Sequence, residues 1–182
     1  QSEICGKKSN YAELHKIIHG DSKKKKKLSD LVPSRQKIKM KEKKKLKYDQ
    51  AYLRIATEWG KLSYCKRKQV GAIIVRDRMI ISDGYNGTPS GFENCCEDEE
   101  NLTKWYVLHA EANAISKVAR STQSCEGATL YITLSPCKDC SKLIHQSGIK
   151  RVVYLEEYKD TSGVDFLRKA GVEAEHLQVL NE

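Results

Sequence analysis

A helix-forming stretch closed by glycine and followed at once by a β-rich run occurs twice near the end of the chain. Lys138–Gln146 leads through Gly148 into Arg151–Leu155, and Val164–Lys169 leads through Gly171 into Val172–Leu180, which contains a last strand. Glycine tolerates the left-handed backbone just past a helix end. A strand reached through a helix lies parallel to the strand before it, because an antiparallel neighbour needs only a hairpin. The earlier part reads differently. Val70–Val75 reads as a buried strand, Arg76-Asp77-Arg78 as a tight connection, and Met79–Asp83 as the second strand of a hairpin. Thr129–Leu134 is β-rich and stops at Pro136. Together these runs predict an α/β fold with one mixed sheet of about five strands and helices on both faces.

Two further helices are written in apolar spacing. Tyr48, Ala51, Tyr52, Ile55, Ala56, Trp59 and Leu62 recur at helical intervals, and His109–Arg120 places Ala110, Ala114, Ile115 and Val118 on one side. Between the hairpin and the second of these helices, Gly84-Tyr85-Asn86-Gly87-Thr88-Pro89-Ser90-Gly91 is dense in turn formers.

Residues 1–46 do not share this pattern. They contain the run Lys23–Lys27 and the triplet Lys43-Lys44-Lys45, with Pro33 between. Like charges at that density repel, and few apolar residues are present to offset the entropy of ordering. We expect a disordered or loosely helical extension, with a short helix over Tyr11–Ile18, ahead of a domain spanning 47–182. The net charge of +9 belongs to this end: residues 1–50 hold 16 of the 33 Lys+Arg and 6 of the 24 Asp+Glu, which leaves a net of −1 on the remainder. The extension reads either as a solubilising appendage or as a contact for nucleic acid or another acidic partner.

No apolar run approaches the roughly 20 residues that span a bilayer, and Gln1–Gly6 shows no charged-then-apolar leader. The expectation is a cytoplasmic protein without a membrane role. Seven cysteines in such a chain do not suggest a disulfide framework. They are expected to remain thiols, as core residues or as ligands.

The residues that carry chemistry are His109 and Glu111 in His109-Ala110-Glu111, and Cys137 and Cys140 in Pro136-Cys137-Lys138-Asp139-Cys140. One His and two Cys hold zinc at three positions and leave a fourth open. Each string leads into a predicted helix, and free N–H groups at a helix start favour thiolates. A carboxylate that is not a ligand then moves protons, so Glu111 is the candidate catalytic residue. Taken separately, the C-x-x-C could be a structural or redox pair and the H-A-E an ordinary helix start. Together they form the H-x-E…P-C-x-x-C pattern of zinc deaminases acting on nucleobases.

Further strings extend the match: Val70-Gly71-Ala72, Gly84-Tyr85-Asn86-Gly87-Thr88-Pro89, His109-Ala110-Glu111-Ala112-Asn113-Ala114, Gly127-Ala128-Thr129-Leu130-Tyr131, Leu134–Cys140 and Ser147–Tyr154. On these residues, from about Tyr48 to about Leu180, the chain resembles the deoxycytidylate branch of the cytidine/deoxycytidylate deaminase family. The G-Y-N-G-x-P loop is what points to that branch. The resemblance implies a three-layer α-β-α fold, one catalytic zinc, and hydrolysis of dCMP to dUMP for thymidylate synthesis. It implies that Asn86 contacts the substrate and that Tyr158 lines its pocket. For the 5′-phosphate, Arg67 and Lys68 are the candidates. It further implies a homo-oligomer, hexamer or dimer, with dCTP and dTTP as effectors near Tyr85, Gly87 and Arg120. Each of these residues also has a plain structural reading: a turn, a sheet-edge aromatic, solvated loop charges, a helix C-terminal cation. Some relatives hold a second zinc, which would fall near Cys65, Cys95 and Cys96. The two His that complete that site are absent from Glu97–Val107.

The competing reading is a deaminase acting on a base in single-stranded DNA or tRNA, gripping the polymer with the basic extension. Against it, the rest of the chain is near neutral and lacks a basic stripe interleaved with aromatics.

Overall fold

A computed structural model of the chain describes residues 35–178. The chain divides after Glu42, and the second unit, Lys43–Glu182, carries the sheet and the functional cluster. The order is α1 (Arg35–Gly60), β1 (Gly71–Arg76), β2 (Met79–Tyr85), α2 (Ala110–Ala119), β3 (Thr129–Leu134), α3 (Lys138–Gln146), β4 (Arg151–Glu156), α4 (Ser162–Lys169) and β5 (Glu173–His176). The helix expected over Tyr11–Ile18 and the run Lys23–Lys27 lie outside the described residues.

The five strands form one sheet in the order β2-β1-β3-β4-β5. β1 is antiparallel to both β2 and β3, whereas β3–β4 and β4–β5 are parallel. Arg76 pairs with Met79 across a two-residue turn. Asp77 and Arg78 both take positive φ there, the conformation whose twist matches a hairpin. The parallel end follows from the helix–glycine–strand rhythm, and Gly148 and Gly171 both have positive φ.

Side-chain alternation along the strands makes three layers. Ala72, Ile74, Leu130, Ile132, Val152 and Tyr154 face one side and pack with Ala110, Ala114, Val118, Ile144, Val164 and Leu167 from α2, α3 and α4. Ile73, Val75, Tyr131 and Val153 face the other side and meet Tyr52, Leu53 and Ala56 of α1. Because both faces are covered, β1 reads as a continuous apolar run instead of an alternation.

α1 is also pinned by a buried ion pair. Asp49 Oδ1 accepts from Arg151 Nη1 (2.9 Å) and from the Tyr131 hydroxyl (2.7 Å), and Oδ2 accepts from Arg151 Nη2 (2.8 Å). This is the bidentate pairing that suits a guanidinium away from water.

Residues 35–46, the described part of the expected loosely helical extension, are helical and exposed and run on into the rest of α1. Lys, Arg, Gln, Met and Leu are all good helix formers. One expectation is corrected. The sulfurs of Cys65 and Cys96 are bonded, with Cα atoms 5.1 Å apart, where thiols were expected. The fold brings two segments 31 residues apart to the separation a disulfide needs. Among the described residues, no helix is long and apolar enough to cross a membrane.

Candidate metal centre and active site

The cluster lies where the parallel strands end and helices begin. His109 is the N-cap of α2 and Cys137 the N-cap of α3, both with extended backbone, and Cys140 sits in the first turn of α3. His109 was expected as a helical residue; as a cap it turns its ring away from the helix axis, toward the neighbouring helix start. α2 and α3 meet because β1 and β3 are adjacent in the sheet and both helices pack on the same face. Gly84, at the end of β2, allows the closeness: a Cβ there would overlap the backbone of Ala110 and Ala114.

His109 Nδ1 lies 3.5 Å from Cys137 Sγ and 3.5 Å from Cys140 Sγ. The ligand atoms of the three residues all fall within 4.8 Å of one another. Tetrahedral zinc with ordinary Zn–S and Zn–N bonds places such a nitrogen and sulfur about 3.6 Å apart. The donor set and its spacing therefore fit zinc, and among the described residues this is the single such group. Cys65, Cys95 and Cys96 do not form a second one: two of them are bonded to each other, and Cys95 Sγ contacts the Glu97 carbonyl instead.

The electrostatics suit a cation. Hydrogen bonds from Cys140 and His109 lower the Cys137 thiol to about 4, against burial. Cys140 is pushed up by donating to Cys137 and by burial. The bond to Cys137 raises the His109 imidazole, against burial, and Glu111 adds to the rise. Burial raises the Glu111 carboxyl, partly offset by its own backbone N–H and by His109. Glu111 is only 3% exposed, yet it lines the cavity beside His109 and Cys137.

That cavity measures about 280 Å³. His109, Cys137 and Glu111 line it, and so do Asn86, Tyr158, Arg67 and Lys68. Asn86 has much of its amide engaged: Oδ1 accepts from Val70 N–H (2.7 Å) and Nδ2 donates to Lys68 O (2.8 Å). One N–H and one lone pair stay available for a ligand. Tyr158 is placed by its N–H donating to Ser135 Oγ (2.8 Å). Arg67 Nη1 donates to Thr103 Oγ1 (3.2 Å), and Lys68 Nζ donates to Glu156 Oε2 (2.5 Å).

Arg120, Tyr85 and Gly87 are not brought to the cavity. Arg120 is the C-cap of α2, at the opposite end from His109. Sequence reasoning missed Glu97 and Thr103, which line the wall. Glu97 stands in the run Glu97-Asp98-Glu99-Glu100, where nothing in the sequence marks one acid as buried.

An α-β-α fold with this cluster beside a buried carboxylate is that of the zinc hydrolases that deaminate nucleobases. Residues 46–156 match the model of the cytidine and deoxycytidylate deaminase zinc-binding region, and the chain belongs to that family. It is 38% identical over 164 residues to the deoxycytidylate deaminase of Enterobacteria phage T4, covering 66% of this chain and 85% of that protein. It is 36% identical over 128 residues to the deoxycytidylate deaminase of Homo sapiens, covering 64% and 69%. Among solved structures, the dCMP deaminase from cyanophage S-TIM5 in complex with dCMP and dUMP matches with a TM-score of 0.69 and 50% identity, over 70% of this chain and 94% of that one.

Proposed function

We propose that the chain hydrolyses dCMP to dUMP and ammonia, in the supply of dUMP for thymidylate synthesis. The observation that carries this is one cavity lined by His109 and Cys137 of the metal cluster, by buried Glu111, and by Arg67 and Lys68. A cytosine ring at the cluster and a 5′-phosphate at the two cations use both. The solved relative bound to dCMP and dUMP supports the same substrate.

His109, Cys137 and Cys140 would hold the zinc, which when bound supplies the Lewis acid that activates water at neutral pH. Glu111 takes a proton from the attacking water and passes it to the ring nitrogen beside C4. Glu111 then takes the second proton from the hydroxyl now on C4 and delivers it to the departing amine as the C4–N bond breaks and the C4 carbonyl forms. Water enters and ammonia leaves, so the atoms balance. Asn86 offers its spare N–H to the sugar or base, and Tyr158 lines the pocket that takes the substrate. Zinc-loaded protein should release ammonia from dCMP, and a chelator should stop it; no product from dCMP would refute this reading.

The same reading includes a deaminase domain over 47–182, homo-oligomers, and dCTP and dTTP as effectors at Tyr85, Gly87 and Arg120. What supports the effector site is its position outside the cavity, with α2 as the connection: Asn113 Nδ2 donates to Tyr85 O (3.0 Å), four residues after His109. A cytoplasmic location goes with a charged nucleotide substrate. The exposed basic start of α1 supports contact between nucleic acid and the extension, and with it the alternative of a polynucleotide substrate.

A further inference from the structure

We infer that Glu97 is the positioning residue of the phosphate-binding wall: its buried carboxylate braces the 65–68 segment and so sets Arg67 and Lys68 for a nucleotide 5′-phosphate. The inference rests on the reading of those two cations given above and adds a residue to it.

Glu97 is 5% exposed, a rare state for a carboxylate. Its Oε1 accepts two backbone hydrogen bonds, from Lys66 N–H (3.0 Å) and Arg67 N–H (3.2 Å). Its Oε2 is buried without a protein partner. An orphaned buried oxygen costs stability, so the side chain is held there by what Oε1 does. What Oε1 does is local: Lys66, Arg67 and Lys68 are three successive cations on an irregular segment, and their mutual repulsion favours splaying into water. One negative charge at their backbone offsets that repulsion and fixes the direction in which the side chains leave.

Neighbouring contacts reinforce the brace. Cys96, next to Glu97, is bonded to Cys65, next to Lys66. Glu97 also forms an isolated antiparallel bridge with Thr103, whose hydroxyl accepts from Arg67 Nη1. The 96–103 segment thus grips the 65–67 segment through the disulfide, the carboxylate and the hydroxyl. The carboxylate occupies the two amides that an incoming anion would otherwise use, which leaves the phosphate to the side chains of Arg67 and Lys68.

The test is the binding of dUMP and of deoxyuridine to zinc-loaded full-length protein, by calorimetry. The ratio of their dissociation constants isolates the phosphate. In Glu97→Ala the ratio should fall about tenfold, the scale of one or two charge-assisted hydrogen bonds, while deoxyuridine affinity and zinc content stay within about twofold. Glu97→Gln keeps a carbonyl for the two amides and should lose only about threefold. Removing both cations, Arg67→Ala with Lys68→Ala, should give at least that loss, and adding Glu97→Ala to the pair should cost little more, because all three act on one phosphate contact. Equal weakening of both ligands, an unchanged ratio, additive losses, or unfolding or zinc loss in both Glu97 variants would make Glu97 a structural residue and overturn the inference. A wild-type protein that binds dUMP no better than deoxyuridine would instead overturn the phosphate role of Arg67 and Lys68 themselves.

Discussion

Gly163, at the start of α4, packs so closely on Pro136 that a Cβ would overlap the proline's carbonyl oxygen and stand 2.8 Å from both Cys137 C and Ser141 Oγ. The first turn of α4 is therefore pressed against the peptide that aims a ligand sulfur. Gly163→Ala must push that peptide, and backbone overlap of this kind costs about 1–3 kcal/mol. We expect the variant to fold with a lowered Tm and to retain less zinc per chain, measured by atomic emission after dialysis. Wild-type zinc content in a stably folded Gly163→Ala would show that α4 does not position Cys137.

Glu111 is buried within the active cavity and is not among the three ligands. Glu111→Gln keeps its shape and removes its ability to carry a proton. Turnover of dCMP should drop by about 10²–10⁴-fold, the usual contribution of a general acid–base, with zinc content unchanged. Near-normal kcat in that variant would remove the proposed proton carrier.

Asp49 and Arg151 bury a bidentate pair between α1 and the sheet, with side chains 5% and 11% exposed. Asp49→Ala would leave the guanidinium buried with Glu175, the more distant Glu173 and the Tyr131 hydroxyl as its partners. Losing one partner of a buried pair costs about 3 kcal/mol or more. Urea unfolding should show that loss as a lower midpoint at unchanged slope. A difference below about 1 kcal/mol would mean that Glu175 and Glu173 neutralise Arg151 without Asp49.

Acid should reach the same network through Glu175. Burial alone would raise this carboxyl, but hydrogen bonds with Glu173, Arg151 and Lys45 outweigh it and bring the group from 4.5 down to about 2. A depressed folded value stabilises above the ordinary one and is lost as pH falls. The Tm gap between wild type and Glu175→Gln should be full above pH 4.5 and close toward pH 2. A gap that stays constant over that range would contradict the pairing.

The sheet was readable because its signals are local. Apolar runs, a two-residue turn and two helix–glycine–strand units each specify their own geometry, and parallel order follows from the crossovers. The cluster was readable because a metal demands residue types at short spacing, and His109 and Cys137 both precede amphipathic helices. The reach of α1 was not readable: its exposed basic half has helix propensity without an amphipathic stripe. Glu97 and the Cys65–Cys96 bond depend on two loops meeting in space, and no periodicity records that meeting.

The most direct test is product formation by zinc-loaded protein with dCMP, dCTP, deoxycytidine and a cytosine-containing oligonucleotide in parallel, with ammonia and the uracil product both quantified. Selective turnover of dCMP, abolished by a chelator and restored by zinc, is the result expected from a cavity lined by His109 and Cys137 of the metal cluster and by two cations. Turnover confined to the oligonucleotide, lost on raising salt, would contradict it and assign the basic end of α1 to the substrate grip.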